Sequence, residues 1–457
     1  MDYYKFCFGA LAALCGVLLV SQPTRRQRVE EKRQNNELQQ QTRDDEHPET
    51  EWYKAYSLVV AADWLQGPYF FSLLRDEYGL DNGLVLSLYL TDLVSTALSA
   101  CLIGALADKY GRKLFCMLYC LAYALSCLFT VVPAVPLLFL GRVLGGVSTS
   151  ILFTVFDSWM VTNFHAMKLA EQGCDLTRTY AATGVVNSFV AILSGMLGEG
   201  LVRATGTRKS PCLISVVILW LALQQIWSRW AENFGVEAGL KSPPSSSTQS
   251  RSTWSILRQP YIIVLGLITT MFEGSMKLFV SGWIPTLSSA HKSTSGNQQF
   301  HSAAVSDLPY RTIFSSFKAA SMAGTLGYNL IMHRRILKYS GLLICVFLVA
   351  NLCFIKLAAG SSTTADSETA AFWLFCLLEA CAGMYGPCVG YLKAHLVTDR
   401  ARTSVYSLMR LPLDVLVIVS LLTTKDSDNV AGVFGFCSLM LTMALATTWV
   451  ASLRGMP

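Results

Sequence analysis

The stretch Gly104-Ala105-Leu106-Ala107-Asp108-Lys109-Tyr110-Gly111-Arg112-Lys113 lies between an apolar run over 84–107 and a second over 114–132. Charge packed this tightly between two hydrophobic segments marks a turn at the edge of a bilayer. Each residue type has a mechanical use there. Gly104 lets neighbouring helices approach closely. Asp108 can accept hydrogen bonds from a helix N-terminus and pair with Arg112. Gly111 permits a tight turn. Together they are expected to form a gating latch, closed in one state of the molecule and broken in another.

Apolar runs recur on both sides of this turn. A helix needs about 20 apolar residues to cross the hydrocarbon core. Runs near 52–74, 136–163, 181–203 and 212–229 complete a set of six. A polar, Pro/Ser-rich break over about 231–258 includes Pro243, Pro244 and Ser245. A second set of six follows near 260–287, 309–332, 340–358, 370–396, 404–422 and 431–452, and one further run, 6–20, precedes everything. The expected organisation is an extra transmembrane helix in 1–21, a charged cytoplasmic linker over 22–51 and a six-helix bundle over 52–229. A cytoplasmic linker over 230–259 and a second bundle over 260–457 follow. Composition agrees: 53% of the 457 residues are hydrophobic and 14% charged, against about a quarter charged in soluble domains. Soluble enzymes, disordered scaffolds and nucleic-acid binders are excluded; the bilayer is the expected partner. The 14 cysteines form no C-x-x-C pair and most fall in apolar runs, where a thiol packs as a small hydrophobe. Disulfides are not expected.

Orientation follows from the basic residues. The first run has Lys5 in front and Arg25, Arg26 and Arg28 behind. A signal peptide has the opposite polarity, so an uncleaved helix with its N-terminus outside is expected. The cytoplasmic loops are then those with Lys109, Arg112 and Lys113, with Arg251 and Arg258, with Arg334, Arg335 and Lys338, and with Arg400 and Arg402. Loops 133–135 and 359–369, on the other side, hold no base. The positive-inside rule is met at nearly every alternate loop.

The stretch 104–113 resembles the major facilitator signature G-x-L-A-D-x-x-G-R-K, at the loop where that superfamily carries it. The resemblance implies an all-α membrane protein with the major facilitator fold: two six-helix bundles related by pseudo-two-fold symmetry, here with one extra N-terminal transmembrane helix. Other segments are similar to the molybdate-anion transporter family. Residues 61–69 read Ala-Ala-Asp-Trp-Leu-Gln-Gly-Pro-Tyr, and 141–149 read Gly-Arg-Val-Leu-Gly-Gly-Val-Ser-Thr, followed by Phe156-Asp157-Ser158-Trp159. Phe272-Glu273, Trp283-Ile284-Pro285, Leu378-Glu379 and Arg410-Leu411-Pro412 continue the likeness into the second half. It implies uptake of molybdate, an oxyanion, at the plasma membrane, with an endomembrane as the alternative. Asp157 stands where that family has Glu, and Lys277 and Lys318 lie outside its pattern.

Charges in mid-span are costly unless they line a cavity or pair. Asp63 and Glu273 fall near the middles of the first and seventh spans, which are equivalent in the two halves, so they are expected to face each other across a central site. A tetrahedral dianion needs cationic donors, and Arg142, Lys318 and Arg410 are the candidates, with Asn187, Gln66, Ser148 and Thr149 as neutral partners. Asp63, Asp157, Glu273 and Glu379 are candidates to pair with these bases or to carry a coupling proton. Lys277 with Glu273, and Arg410 with Asp414, are spaced four apart, as self-neutralised pairs on one helix would be. Pro68, Pro285, Pro387 and Pro412 are expected to kink helices near the cavity.

The leading expectation is a secondary transporter of a small oxyanion working by alternating access, as a monomer. The rivals are a proton-coupled porter of another anion, a sugar or an organic solute, and a non-transporting receptor on the same fold. No catalytic set, P-loop or metal spacing occurs, so neither an enzyme nor a cofactor is expected.

Overall fold

Each apolar run becomes a helix. The computed structural model describes residues 2–22, 48–171, 174–235, 253–294, 308–359, 365–423 and 430–455. The charged stretch 23–47, the linker 236–252 with its prolines and serines, and the polar loop 295–307 lie outside the described residues. The long helices are α1 (Asp2–Val20), α2 (Pro48–Ser72), α3 (Asn82–Tyr110), α4 (Arg112–Val131), α5 (Val135–Ala166), α6 (Leu176–Thr205) and α7 (Ser210–Arg229). After a short turn of helix at Thr253–Leu257 come α8 (Pro260–Thr294), α9 (Tyr310–His333), α10 (Tyr339–Ala358), α11 (Ala365–Leu396), α12 (Arg402–Thr423) and α13 (Val430–Leu453). Their starts follow from local chemistry. The Asp81 carboxylate accepts from Gly83 N at 2.9 Å and Asp175 from Thr177 N at 3.0 Å, each satisfying an otherwise orphaned N–H.

Eleven of these helices are long and apolar enough to cross a membrane. The other two are α2 and α9, which carry Lys54 and Asp63, and Arg311 and Lys318. Both are packed between neighbours, and the charges in their middles, Asp63 and Lys318, are held by protein side chains instead of meeting acyl chains.

The helix neighbours repeat. In the first half α2 packs on α6 and α7, α3 on α5, and α4 on α5 and α7. Advancing every label by six gives the second half: α8 on α12 and α13, α9 on α11, and α10 on α11 and α13. The bundles meet along α3–α12 and α6–α9, and along α5–α12 and α6–α11, which the same advance exchanges. This is the pseudo-two-fold relation of the major facilitator fold. Close approach inside a bundle needs small residues. A Cβ on Gly146 of α5 would fall 2.3 Å from the Asp92 carbonyl of α3.

The extra helix α1 packs on α9. Cys15 Sγ donates to Ala319 O at 3.2 Å, and Gln22 donates to Leu326 O at 3.1 Å while accepting from Asn329 at 2.6 Å. At its other end the Tyr4 ring meets Phe372 edge-on at 5.1 Å. All 14 cysteines are free. Most are buried, and Cys101 and Cys345 are exposed.

Candidate functional site

The latch is assembled. Asp108 Oδ1 accepts from Arg112 Nε at 3.1 Å and Nη2 at 2.8 Å. Its Oδ2 crosses to the other bundle and accepts from Ser404 N at 3.0 Å and Ser404 Oγ at 2.9 Å. Ser404 lies in the first turn of α12, where unpaired N–H groups and the helix dipole favour a carboxylate. Arg112, fully buried, also donates to Thr403 Oγ1 at 3.0 Å, to Asp399 O at 2.9 Å and to Thr162 Oγ1. Thr162 in turn donates to Asp399 Oδ1 at 2.6 Å. Gly104 allows this closeness: its Cβ would lie 2.6 Å from Ser404 Cα. Gly111 turns the chain at φ 115°. On the same face Thr177 Oγ1 and Tyr339 Oη, 2.9 Å apart, join α6 to α10. The bundles are thus closed on the latch face.

Between the bundles the charged residues find partners that differ from the sequence expectation. Glu273 and Lys277 do not neutralise each other along α8, nor do Arg410 and Asp414 along α12. The pairs cross between helices: Lys277 Nζ reaches Asp414 Oδ1 at 3.1 Å, and Arg410 Nη1 lies 3.6 Å from Glu273 Oε2. Two parallel neighbours, one reading acid then base and the other base then acid at the same spacing, offer this exchange, and the cross-helix geometry is the one adopted. Glu273 also stands 3.9 Å from Lys393 Nζ and accepts from Tyr385 Oη at 3.4 Å. Lys318 pairs with Glu379 of α11 at 3.2 Å. Lys318 Nζ lies 4.9 Å from the centre of the Trp64 ring, and the Arg410 guanidinium 4.2 Å from that of Phe153. Both rings belong to the opposite bundle, and both contacts have cation–π geometry.

The first bundle is built differently. Asp63 accepts from Tyr123 Oη at 2.6 Å, and Asp157 from Tyr180 Oη at 2.7 Å. Asp63 therefore bonds within its own bundle and Glu273 within the other. The Tyr180 ring presses on Gly390 of α11, where a Cβ would fall 2.5 Å from it. Arg142 stacks over Phe70 at 4.0 Å, donates to Thr130 at 3.1 Å and lies 3.8 Å from Asp92. Asn187 accepts from Trp64 Nε1 at 3.0 Å. Gln66 is not on the central face. It is buried, and the thiols of Cys127 and Cys212 point at its carbonyl oxygen at 3.5 and 3.7 Å. Ser148 and Thr149 donate to carbonyls of their own helix, Leu144 O and Gly145 O. Among the described residues no group of three or more His, Cys, Asp or Glu side chains is arranged to hold a metal ion.

Sequence reading missed Asp92 and Lys393. Asp92 hides in a run of apolar and hydroxyl residues, and Lys393 sits near a helix end where a base ordinarily marks topology. Only Asp92 left a signal, a charge two turns inside the predicted span 84–107.

A family model described as sugar transporters with 12 transmembrane segments, MFS_5, matches residues 3–378. The molybdate-anion transporter of Xenopus tropicalis is 28% identical over 408 residues, covering 88% of this chain and 85% of the relative. That of Takifugu rubripes is 28% identical over 426 residues, covering 86% and 84%. Among solved structures, the human organic anion transporter MFSD10 (TETRAN) superposes with a TM-score of 0.61 at 16% identity, over 88% of this chain and 98% of that one. FucP, a major facilitator transporter in the outward conformation, gives 0.63 at 15%, also over 88% and 98%. These two share the fold. With its paired six-helix bundles, intact latch and family match, the chain belongs to the MFS_5 family of membrane transporters.

Proposed function

We propose that this multi-pass transporter takes up molybdate, or another tetrahedral oxyanion of like charge, by alternating access of a site between the bundles. One observation carries the reading. A single carboxylate, Glu273, is shared by Arg410 at 3.6 Å and Lys393 at 3.9 Å, both longer than a charge-assisted hydrogen bond. Two bases held this loosely are available to an incoming anion. Arg410 Nε has no hydrogen-bond partner, and an Arg fork suits an oxyanion edge. Lys318 adds a third cation, and Arg142 stands nearer the mouth opposite the latch. The relatives' printed substrate, molybdate, agrees with this chemistry.

Charge balance supports a coupling proton. In the second bundle Lys277, Lys318, Lys393 and Arg410 face Glu273, Glu379 and Asp414, one positive charge in excess. A bound dianion turns that excess into a negative balance, which Asp63 and Asp157 deepen when ionised, and a proton on either acid reduces it. These two are the candidates because the acids of the second bundle are each paired with a base, whereas Asp63 and Asp157 are held by tyrosine hydroxyls. The resemblance points to the plasma membrane as the site of action, with the latch face in the cytoplasm and the bundles working as a monomer.

Labelled molybdate uptake by cells expressing the chain, with sulfate as competitor, tests the reading. Lys318→Ala and Arg410→Ala are each expected to cut uptake about tenfold or more, the effect of losing one hydrogen bond to a charged group. Full uptake by both variants would overturn the site. The second reading, a sugar or other neutral solute, is favoured by the Trp64–Asn187 hydrogen bond and by the family description. It requires that sugars, and not oxyanions, compete.

A further inference from the structure

The residues that follow α7 continue onto the latch. Trp230 stacks on Trp159 with ring centres 3.7 Å apart, and Trp159 Nε1 donates to Ala231 O at 3.0 Å. Asn233 Nδ2 donates back to Trp159 O at 3.2 Å. The backbone then runs beside both latch residues: Arg112 N donates to Asn233 O at 3.0 Å, and Gly235 N to Asp108 O at 2.9 Å. Glu232 lies between these contacts. Its carboxylate accepts from Lys113 N at 2.7 Å, Leu114 N at 3.2 Å and Asn233 N at 3.1 Å.

This arrangement answers a defect in the signature turn. Helix α4 begins at Arg112 directly after Gly111, which has no side chain to cap the orphaned N–H groups of the first turn. Glu232 supplies the missing acceptor from 119 positions along the chain. Its carboxylate occupies the space a side chain at 111 would need, since a Cβ there would lie 2.5 Å from Glu232 Cδ. Gly111 is thus required both by its positive φ and by the cap. Arg112, the latch cation, is the first residue of α4, so whatever fixes that turn fixes where the guanidinium points.

We propose that Glu232 is a positioning residue for the latch. By holding the first turn of α4 and aligning 230–235 along Asp108 and Arg112, it stabilises the latched state over the open one. The segment 230–235 begins the linker to the second bundle, so the connection between bundles acts on the gate. The inference rests on the alternating-access reading and adds to it the element that sets the gate's equilibrium.

The test uses the full chain in liposomes. Spin labels at Ala166 and Arg334, exposed on the latch face in opposite bundles, report separation of the bundles without any substrate. Glu232→Ala is expected to raise the long-distance population at least about twofold, with Glu232→Asp restoring part of the wild-type distribution. With molybdate as the probe, half-saturation should rise from the face opposite the latch and fall from the latch face. A cap with only a structural role would lower the amount of active protein and move neither value. If Glu232→Ala fails to accumulate, Glu232→Gln, which keeps the chain length and loses the charge, is read in its place. Unchanged distances in the variants, beside a wild type that samples two, overturn the role of Glu232. A wild type locked at one distance in all conditions overturns alternating access itself, and this inference with it.

Discussion

Gly104→Ala adds one methyl group where α3 crosses α12. Its Cβ would sit 2.6 Å from Ser404 Cα, 2.8 Å from Thr403 O and 2.9 Å from Ser404 N. All three are backbone atoms, so no change of rotamer relieves the contact. The helices must part by about 1 Å to reach ordinary van der Waals distance. Overpacking of this kind costs about 1–3 kcal/mol. The same displacement stretches the 3.0 Å bond from Ser404 N to Asp108, and a hydrogen bond to a charged group is worth about 1.5–3 kcal/mol. The two lower bounds together give about 2.5 kcal/mol, or roughly 60-fold in the ratio of latched to unlatched molecules. Under the proposed alternating access the penalty falls on one state only, because α3 and α12 would separate there as the latch opens. Spin labels at Ala166 and Arg334, with Cys101 and Cys345 replaced, read the ratio directly. The expected result is a dominant long distance in the variant beside a dominant short one in the parent. A folded variant that keeps the short distance would refute the claim that this crossing governs closure.

Three further outcomes follow from the same geometry. Lys277→Met strands the fully buried Asp414 and is expected to cost about 3–5 kcal/mol, whereas Lys277→Met with Asp414→Leu restores stability to near the parent value; thermal unfolding in detergent measures both. Gln66→Met, buried against two thiols, is expected to leave molybdate uptake within about twofold, and a large loss would return Gln66 to the substrate path. Gly390→Ala drives a Cβ to 2.5 Å from the Tyr180 ring and is expected to shift the spin-label distances in the same direction as Gly104→Ala.

The fold was legible because a bilayer leaves so little choice. A segment that must satisfy its own backbone hydrogen bonds in hydrocarbon becomes a helix of about 20 residues, and the apolar runs mark the helices to within a few positions. Even α2 and α9, too polar to pass as spans on hydropathy alone, correspond to the runs 52–74 and 309–332. The latch was legible for another reason: its residues are contiguous, so spacing alone puts Asp108 and Arg112 one turn apart. Gln66 was misplaced by neglect of helical phase. It follows Trp64 by two positions, which on a helix puts the two side chains on nearly opposite faces. With Trp64 turned to Asn187 and to the other bundle, Gln66 had to point into its own.

Ion pairing was the least legible property, and α8 and α12 show why. Each carries an acid and a base four positions apart, so sequence offers two intrahelical pairs and two crossed ones with the same composition. Only the packing of the helices, which no local spacing encodes, selects the crossed set. The two crossed rungs then diverge. Asp414 is fully buried and takes Lys277 at 3.1 Å, a pair that is expensive to break because the carboxylate would be left without solvent or partner. Glu273 keeps a quarter of its side chain exposed and is divided between Arg410 and Lys393 at longer range, so exchanging one partner for an anion in solvent contact costs far less. On the proposed mechanism the tight rung holds α8 and α12 together as one body while the loose rung, one helical turn away, trades partners. A binding site that must release its ligand on the other side of a membrane requires both properties.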